Sequence, residues 1–379
     1  MEQVPQLNYL ALRFIGLHLF NANARWRQTR DIRRDVFDAL KKLKITLANK
    51  KAILASFDRI LKEVERWDSK HSKLFVEDNV KIKPTKIAKS NAKRSDHLRM
   101  YHGSLIWKNN LYCIDDNKTA QTLIYKDLLN WPQLRFQFAC FYAVENLLTN
   151  DFVFDKVRRK VFRQRLGEHC VYDLWLRVLD DKKAWKKIYQ EDRLLVDQVC
   201  VQALHYAMKN GFIELTKFLW TKLTGPQKET IGFLAWKSVC IRMNNPELIR
   251  FLCSELCALN LRSMTVLTWD NFYIKVREVL ENEDITSQLY VDYYNRLELF
   301  LNNICSELKS ALLCRDGCRV IADAFWYQNE DAFALLTEHI EKDKIKEARE
   351  VVDRIYDKKR TKSMKKLRNR VVQRQATIQ

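Results

Sequence analysis

Apolar residues along this chain recur at the three-to-four spacing that places them on one side of a helix. Over residues 5–67 the pattern predicts three amphipathic helices, near 5–22, 29–48 and 50–68. In the first, Leu7, Leu10, Ala11, Phe14, Ile15 and Leu17 with His18 form one stripe, expected to pack into a core. Residues 69–100 lose this aromatic and aliphatic density. Over 81–99, Lys81, Lys83, Lys86, Lys89, Lys93, Arg94 and Arg99 face a single acid, Asp96, which reads as a solvated linker or arm. Periodic apolar segments return from about 104 to 356. Residues 134–148 carry Phe138, Ala139, Phe141, Tyr142, Ala143, Leu147 and Leu148, and a second apolar helix follows at 152–162. From Lys358 onward only Met364, Leu367 and Val371 remain as an apolar stripe, fitting a basic helix or a disordered end. The pattern divides the chain into an N-terminal helical segment at 1–68, a basic linker at 69–103, a helical body at 104–357 and a basic C-terminal tail at 358–379.

The densest pattern lies at 203–220. Leu204 and Ala207 fall on the inner face of a short helix, where a small alanine permits close approach of a neighbour. Gly211 supplies a positive φ at little cost, turning the chain into a second helix with Leu215, Phe218 and Leu219 on one stripe. Leu204, His205, Ala207, Gly211, Glu214 and Leu219 occupy fixed positions of the ankyrin pattern, so this stretch resembles an ankyrin repeat. The resemblance implies that His205 hydrogen-bonds between repeats rather than binding metal. A shift of 33 residues sets Cys240, Asn244, Glu247, Leu248, Phe251 and Leu252 on the same template, with Asn244 tolerating the left-handed turn. A third copy fits at Ala324, Asp331, Ala332, Leu335 and Leu336, out of phase with the 33-residue period. The likeness covers about 80 residues closely and about 200 loosely. Residues 107–142, with Leu-Tyr-Cys-Ile-Asp-Asp at 111–116 and Arg-Phe-Gln-Phe-Ala-Cys-Phe-Tyr at 135–142, are also similar to large invertebrate families of degenerate ankyrin-like repeats. The implied fold is all-α: an irregular ankyrin-like helical-repeat solenoid preceded by a small N-terminal helical segment.

Composition agrees with a helical chain. Only 7 Gly and 5 Pro occur in 379 residues, too few breakers for an all-β fold. No apolar run reaches the length of a membrane span, and residues 7–20 lack the basic start and cleavage site of a signal peptide, so an intracellular protein, cytoplasmic or nuclear, is expected. The 10 cysteines then read as free thiols. Cys253 with Cys257 and Cys314 with Cys318 share i, i+4 spacing, which could set two thiolates on one helix face, but with no Cys-x-x-Cys and no nearby histidine, buried core thiols are favoured over zinc. The net charge of +20 sits at the ends: +12 over residues 1–100 and +9 over 358–379, against −1 between them. Lys358, Lys359, Arg360 and Lys362 have the density of a nuclear-import signal. The alternative is a solvated helix end suited to its dipole. No aromatic residue interleaves with these cations, so any contact with nucleic acid or an anionic surface is expected to be weak and nonspecific.

Recognisable catalytic chemistry is missing from the sequence. No phosphate-binding glycine loop, nucleophile elbow or His-Glu-x-x-His helix is present. The adjacent acids Asp115/Asp116 and Asp180/Asp181 suit helix capping, with Asp116 before Asn117 and Lys118 as the expected cap. These readings favour a non-enzymatic protein-protein interaction scaffold with an unidentified protein partner, no cofactor and no metal. Two alternatives stay open. Leu7, Ala11 and Ile15 match the spacing of the elongin-binding box, which resembles that of substrate-receptor adaptors of cullin ubiquitin ligases. The basic ends fit a nuclear protein associated with nucleic acid.

Overall fold

A computed structural model describes residues 7–24, 27–76, 94–109, 111–150, 153–180, 198–229, 231–232, 235, 246–257, 265–282, 284–285, 287–342 and 344–378. Among these the chain is all-α, with no strand and a single isolated bridge between Trp107 and Ile114. It divides into two compact units, Met1–Ala184 and Trp185–Gln379. The centre of the basic stretch, residues 77–93, lies outside the described residues, as do Phe152, Cys240 and Asn244.

The first unit opens with α1 (Leu7–Asn23), α2 (Thr29–Lys42) and α3 (Leu47–Val76). In α2, Ile32, Val36 and Leu40 form a buried i, i+4, i+8 stripe, with Asp31 in the first turn and Lys41 and Lys42 in the last, both favourable to the helix dipole. In α3, Ile53, Phe57, Ile60, Leu61, Val64, Trp67, His71 and Leu74 are buried along one seam. The helix therefore continues eight residues past its expected end at 68, because His71 and Leu74 keep its inner face occupied.

The expected packing stripe of α1 points the wrong way. Its buried residues are Gly16 and Phe20, whereas Leu7, Ala11, Phe14, Ile15 and His18 are exposed. The cause is a close helix approach. A β-carbon on Gly16 would lie 2.7 Å from Ile60 Cδ1, so the bare backbone forms the contact with α3. Two polar anchors fix the rotation: Ser56 Oγ donates to Leu12 O at 2.9 Å, and Arg13 donates to Leu111 O at 2.7 Å and Lys108 O at 2.9 Å. Phe20 completes the seat against His102 and Trp107, with ring centroids 6.1 and 6.2 Å away.

After a 3-10 segment, Arg94–Ser104, come α4 (Asp116–Thr122), α5 (Pro132–Phe141), α6 (Glu145–Leu148), α7 (Lys156–Leu166) and α8 (Cys170–Asp180). Pro132 opens α5 where its missing N–H costs nothing. Phe136 of α5 meets Phe162 of α7 at 4.8 Å and Phe154 at 5.3 Å, and Trp175 Nε1 donates to Cys140 O at 3.0 Å. Burying each such side chain contributes roughly 1.5–3 kcal/mol.

The second unit contains α9 (Gln198–Asn210), α10 (Ile213–Lys222), α11 (Pro246–Cys257), α12 (Thr265–Leu280), α13 (Gln288–Asn303), α14 (Ser306–Leu313), α15 (Arg315–Trp326), α16 (Glu330–Glu338), α17 (Ile345–Lys358) and α18 (Lys362–Ile378). The C-terminal segment is thus a docked helix. Met364, Leu367 and Val371 are all buried, and α18 lies on α17 while touching α15 and α16. Thr361 caps it, accepting from Met364 N at 3.1 Å.

One turn recurs three times. Between α9 and α10, Gly211 takes φ +71°, Phe212 N donates to Ala207 O at 2.9 Å and Gly211 N to Met208 O at 3.3 Å. This pair of bonds is the Schellman helix ending. Between α5 and α6 the same bonds run from Val144 to Ala139 (3.0 Å) and from Ala143 to Cys140 (3.4 Å), with Ala143 at φ +48°. Between α15 and α16 they run from Asn329 to Ala324 (3.2 Å) and from Gln328 to Phe325 (3.2 Å), with Gln328 at φ +56°. Ala139, Ala207 and Ala324 are each fully buried, and Leu147, Leu215 and Ala332 are buried after the turn.

Candidate functional site

The residues singled out by the repeat pattern serve the hairpins. Leu204 and Ala207 are buried in α9, His205 is half-buried beside them, and Leu219 is buried in α10. Glu214 stands in the first turn of α10. Asn244 falls outside the described residues, but Glu247 and Leu252 are placed in α11, the first exposed and the second buried. Lys217 of α10 pairs with Glu247 at 3.6 Å and lies 5.9 Å from the Phe251 ring centre. Trp220 Nε1 donates to Glu255 at 2.8 Å. The second helices of the first and second copies of the pattern are therefore joined side chain to side chain.

The outer face of α1 carries exposed apolar side chains. Leu7 is 83 % exposed, Phe14 72 % and Ile15 39 %, with Ala11 between them. A helix seated through Gly16, Phe20 and three hydrogen bonds leaves Leu7, Phe14 and Ile15 for this face.

At the other end, Lys358, Lys359, Arg360 and Lys362 are exposed around the turn from α17 to α18. Four cations further along α18 are engaged. Lys366 and Arg370 pair with Glu330 at 2.6 and 3.7 Å, Arg368 pairs with Asp353 at 2.5 Å, and Arg374 donates to the carbonyls of Thr337, Glu338 and Ile340. The aromatic partners missing from the tail sequence come from other helices. Lys359 Nζ sits 4.8 Å from the centre of the Trp326 ring, which is 49 % exposed, and Arg360 and Arg368 lie over Tyr356.

Strongly shifted ionisable groups converge in the first unit, under α3. Asp116 accepts from Lys70 Nζ at 2.7 Å and Arg66 at 2.6 Å. Burial opposes its charge, and these two cations overcome that cost and hold the carboxyl well below its usual range. Asp116 is therefore an ion-pair partner; the capping role falls to Asp115, which accepts from Lys118 N at 3.0 Å. Next to it, burial lowers His71 to about 3. Its Nδ1–H donates to Trp67 O and its Nε2 accepts from the Tyr142 hydroxyl, both at 2.7 Å. His71 is fully buried, Asp116 is half-buried, and Arg66, 40 % exposed, closes the set on its solvent side. Elsewhere, a pocket of the second unit lined by Phe272, Lys275, Glu278, Tyr293, Arg296 and Phe300 has its lysine held by Glu278 at 2.5 Å.

The thiol pairs behave differently from each other. Cys253 is a buried core residue, and Cys257 Sγ accepts from Cys305 N at 3.0 Å. Cys314 and Cys318 converge with Glu347, an acid too far along the chain for the cysteine spacing to indicate it. No helix among the described residues is long and apolar enough to cross a membrane. No family model, curated protein or solved structure matches this chain.

Proposed function

We propose that this chain is a non-enzymatic protein-binding scaffold built as an irregular, ankyrin-like helical-repeat solenoid, working inside the cell in the cytoplasm, the nucleus or both. The observation that carries this reading is the recurrence of one hairpin, with a buried alanine, a left-handed residue four positions on and an apolar residue four beyond it, at 139/143/147, 207/211/215 and 324/328/332. Repeats of this kind bury a core only by stacking and present extended surface to a partner without chemistry. The links Lys217–Glu247 and Trp220–Glu255 support such stacking. The mutual pairing of the strongly shifted groups around Asp116 supports a non-catalytic reading, since Lys70 and Arg66 account for the shift as a structural ion-pair network. The test is affinity purification of the full chain with elution across a salt series. A discrete protein that stays bound at high salt supports the scaffold. Recovery of nucleic acid alone, abolished when Lys358, Lys359, Arg360 and Lys362 become Gln, transfers the binding role to the basic turn and ends the reading.

A second reading is favoured by the outer face of α1. Leu7, Ala11 and Ile15, the residues at elongin-box spacing, are all exposed on one side of a helix anchored by its other side. Under this reading α1 recruits elongin and the chain is a substrate-receptor adaptor of a cullin ubiquitin ligase. Leu7→Glu then abolishes elongin capture in a pull-down while leaving circular dichroism unchanged. Failure of the intact chain to capture elongin removes this reading and leaves the scaffold untouched.

A further inference from the structure

The junction between α14 and α15 is built unlike any other in the described chain. Asp316, Gly317 and Cys318 take φ values of +50°, +66° and +59° in succession, a full left-handed turn of which only Gly317 adopts the geometry freely. Its effect is to fold Cys318 back over Cys314, with Cys318 N donating to Cys314 O at 3.3 Å. From the start of α17, 29 residues beyond Cys318, Glu347 reaches the same point. The two Sγ atoms and a carboxylate oxygen all lie within 4.8 Å of one another. Cys318 is fully buried, Cys314 half-buried and the Glu347 side chain 50 % exposed, so the group opens to solvent on one side only.

We propose that Cys314, Cys318 and Glu347 form a mononuclear site for a thiophilic divalent cation of the zinc class, with the fourth position held by water. The Cys-x-x-x-Cys spacing lies within the range found at zinc sites, and two thiolates discriminate against magnesium and calcium. On binding, the two S–H protons pass to solvent, two metal–sulfur bonds and one metal–oxygen bond form, and the ion keeps one water of its shell. Two thiolates and a carboxylate bring three negative charges to a doubly positive ion, leaving a single negative charge. Lys344 Nζ, 2.8 Å from Glu347 Oε1, balances it.

The test is titration of the full-length, chelator-stripped, reduced chain with cobalt(II) and zinc(II). One equivalent of cobalt should give a sulfur-to-metal charge-transfer band with intense tetrahedral d–d absorption, displaced by zinc. Affinity should rise with pH in keeping with release of about two protons per ion. X-ray absorption at the zinc edge should show two sulfur scatterers at about 2.3 Å and two oxygen scatterers at about 2.0 Å. Cys314→Ser and Cys318→Ser should each abolish the charge-transfer band, and Glu347→Gln should weaken binding by at least about 10-fold. Cys257→Ser, which removes a thiol of the neighbouring pair, should change nothing. The absence of the band in the wild-type chain, a four-sulfur shell, or binding that survives both serine variants overturns the proposal. The wild-type spectra decide the matter even if a variant fails to fold.

Discussion

His71 and Tyr142, 71 residues apart in sequence, share a hydrogen bond of 2.7 Å inside the core of the first unit, with the imidazole Nε2 as acceptor. Because Nδ1–H is committed to Trp67 O, adding a proton to Nε2 forces the Tyr142 hydroxyl to turn from donor to acceptor and buries a charge beside Lys70 and Arg66. The folded pKa of His71, about 3, lies below its unfolded value of about 6.5, so between these values the unfolded chain holds more protons and stability falls as pH falls. Asp116 acts in the same direction at lower pH, its depressed pKa withdrawing stability below the ordinary carboxyl range. Urea unfolding should lose up to about 1.4 kcal/mol per pH unit from His71 between pH 6.5 and 4. His71→Phe should flatten that slope, and an unchanged slope in the variant refutes the assignment.

Gly16 sets the distance between α1 and α3. Gly16→Ala gains helix propensity of up to about 1 kcal/mol but drives a methyl into Ile60 Cδ1, a flexible tip that can yield, so the net change in Tm should be small. Gly16→Leu has no such escape and should cost about 1–3 kcal/mol. Thermal unfolding of both variants measures the contrast, and a neutral leucine there contradicts the close approach.

The Schellman turns at Ala143 and Gly211 both favour glycine, so introducing it at one and removing it at the other should act with opposite signs. At Ala143, already left-handed, Ala143→Gly should stabilise by roughly 0.5–1 kcal/mol, the strain relieved less the entropy glycine adds to the unfolded chain. At Gly211, Gly211→Ala should destabilise by about 1 kcal/mol. Equal effects of the same sign at the two sites would show that the turns are not equivalent.

Truncation at residue 357 is a poor probe of the basic tail, because it strips Met364, Leu367 and Val371 from the core. Exchanging Lys358, Lys359, Arg360 and Lys362 for Gln should leave the melting temperature within about 2 °C, since exposed substitutions away from special features change stability little. If these residues form an import signal, the variant's nuclear fraction falls. If they bind nucleic acid, the slope of log K against log salt becomes shallower by about 0.9 for each duplex phosphate that the variant no longer neutralises.

Much of the helical framework is legible in the sequence because periodicity reports directly on burial. Leu204, Ala207 and Leu219 can be read off as one hairpin, and Met364, Leu367 and Val371 as one stripe, since each pattern is local. Gly211 announces its turn by residue type. The turns at Ala143 and Gln328 give no such sign, because a left-handed alanine or glutamine is imposed by the Schellman bonds and leaves no mark in composition. The orientation of α1 escapes the sequence for a related reason: the stripe at Leu7, Ala11 and Ile15 is a true amphipathic face, and only the contact of Gly16 with Ile60 reveals which side is inside. Asp116 and Glu347 are invisible in their roles because their partners lie far along the chain, at Lys70 and at Cys314.

The way α1 is held has an evolutionary consequence. A helix gripped along one side, through an absent side chain, a serine hydroxyl, one guanidinium and the Phe20 ring, leaves the identity of its outer side chains uncommitted to staying in place. Leu7, Phe14 and Ile15 are therefore positions at which mutation can redraw what the helix displays without disturbing how it is mounted. Selection can retune recognition there while the anchors, Gly16, Phe20, Ser56 and Arg13, stay still.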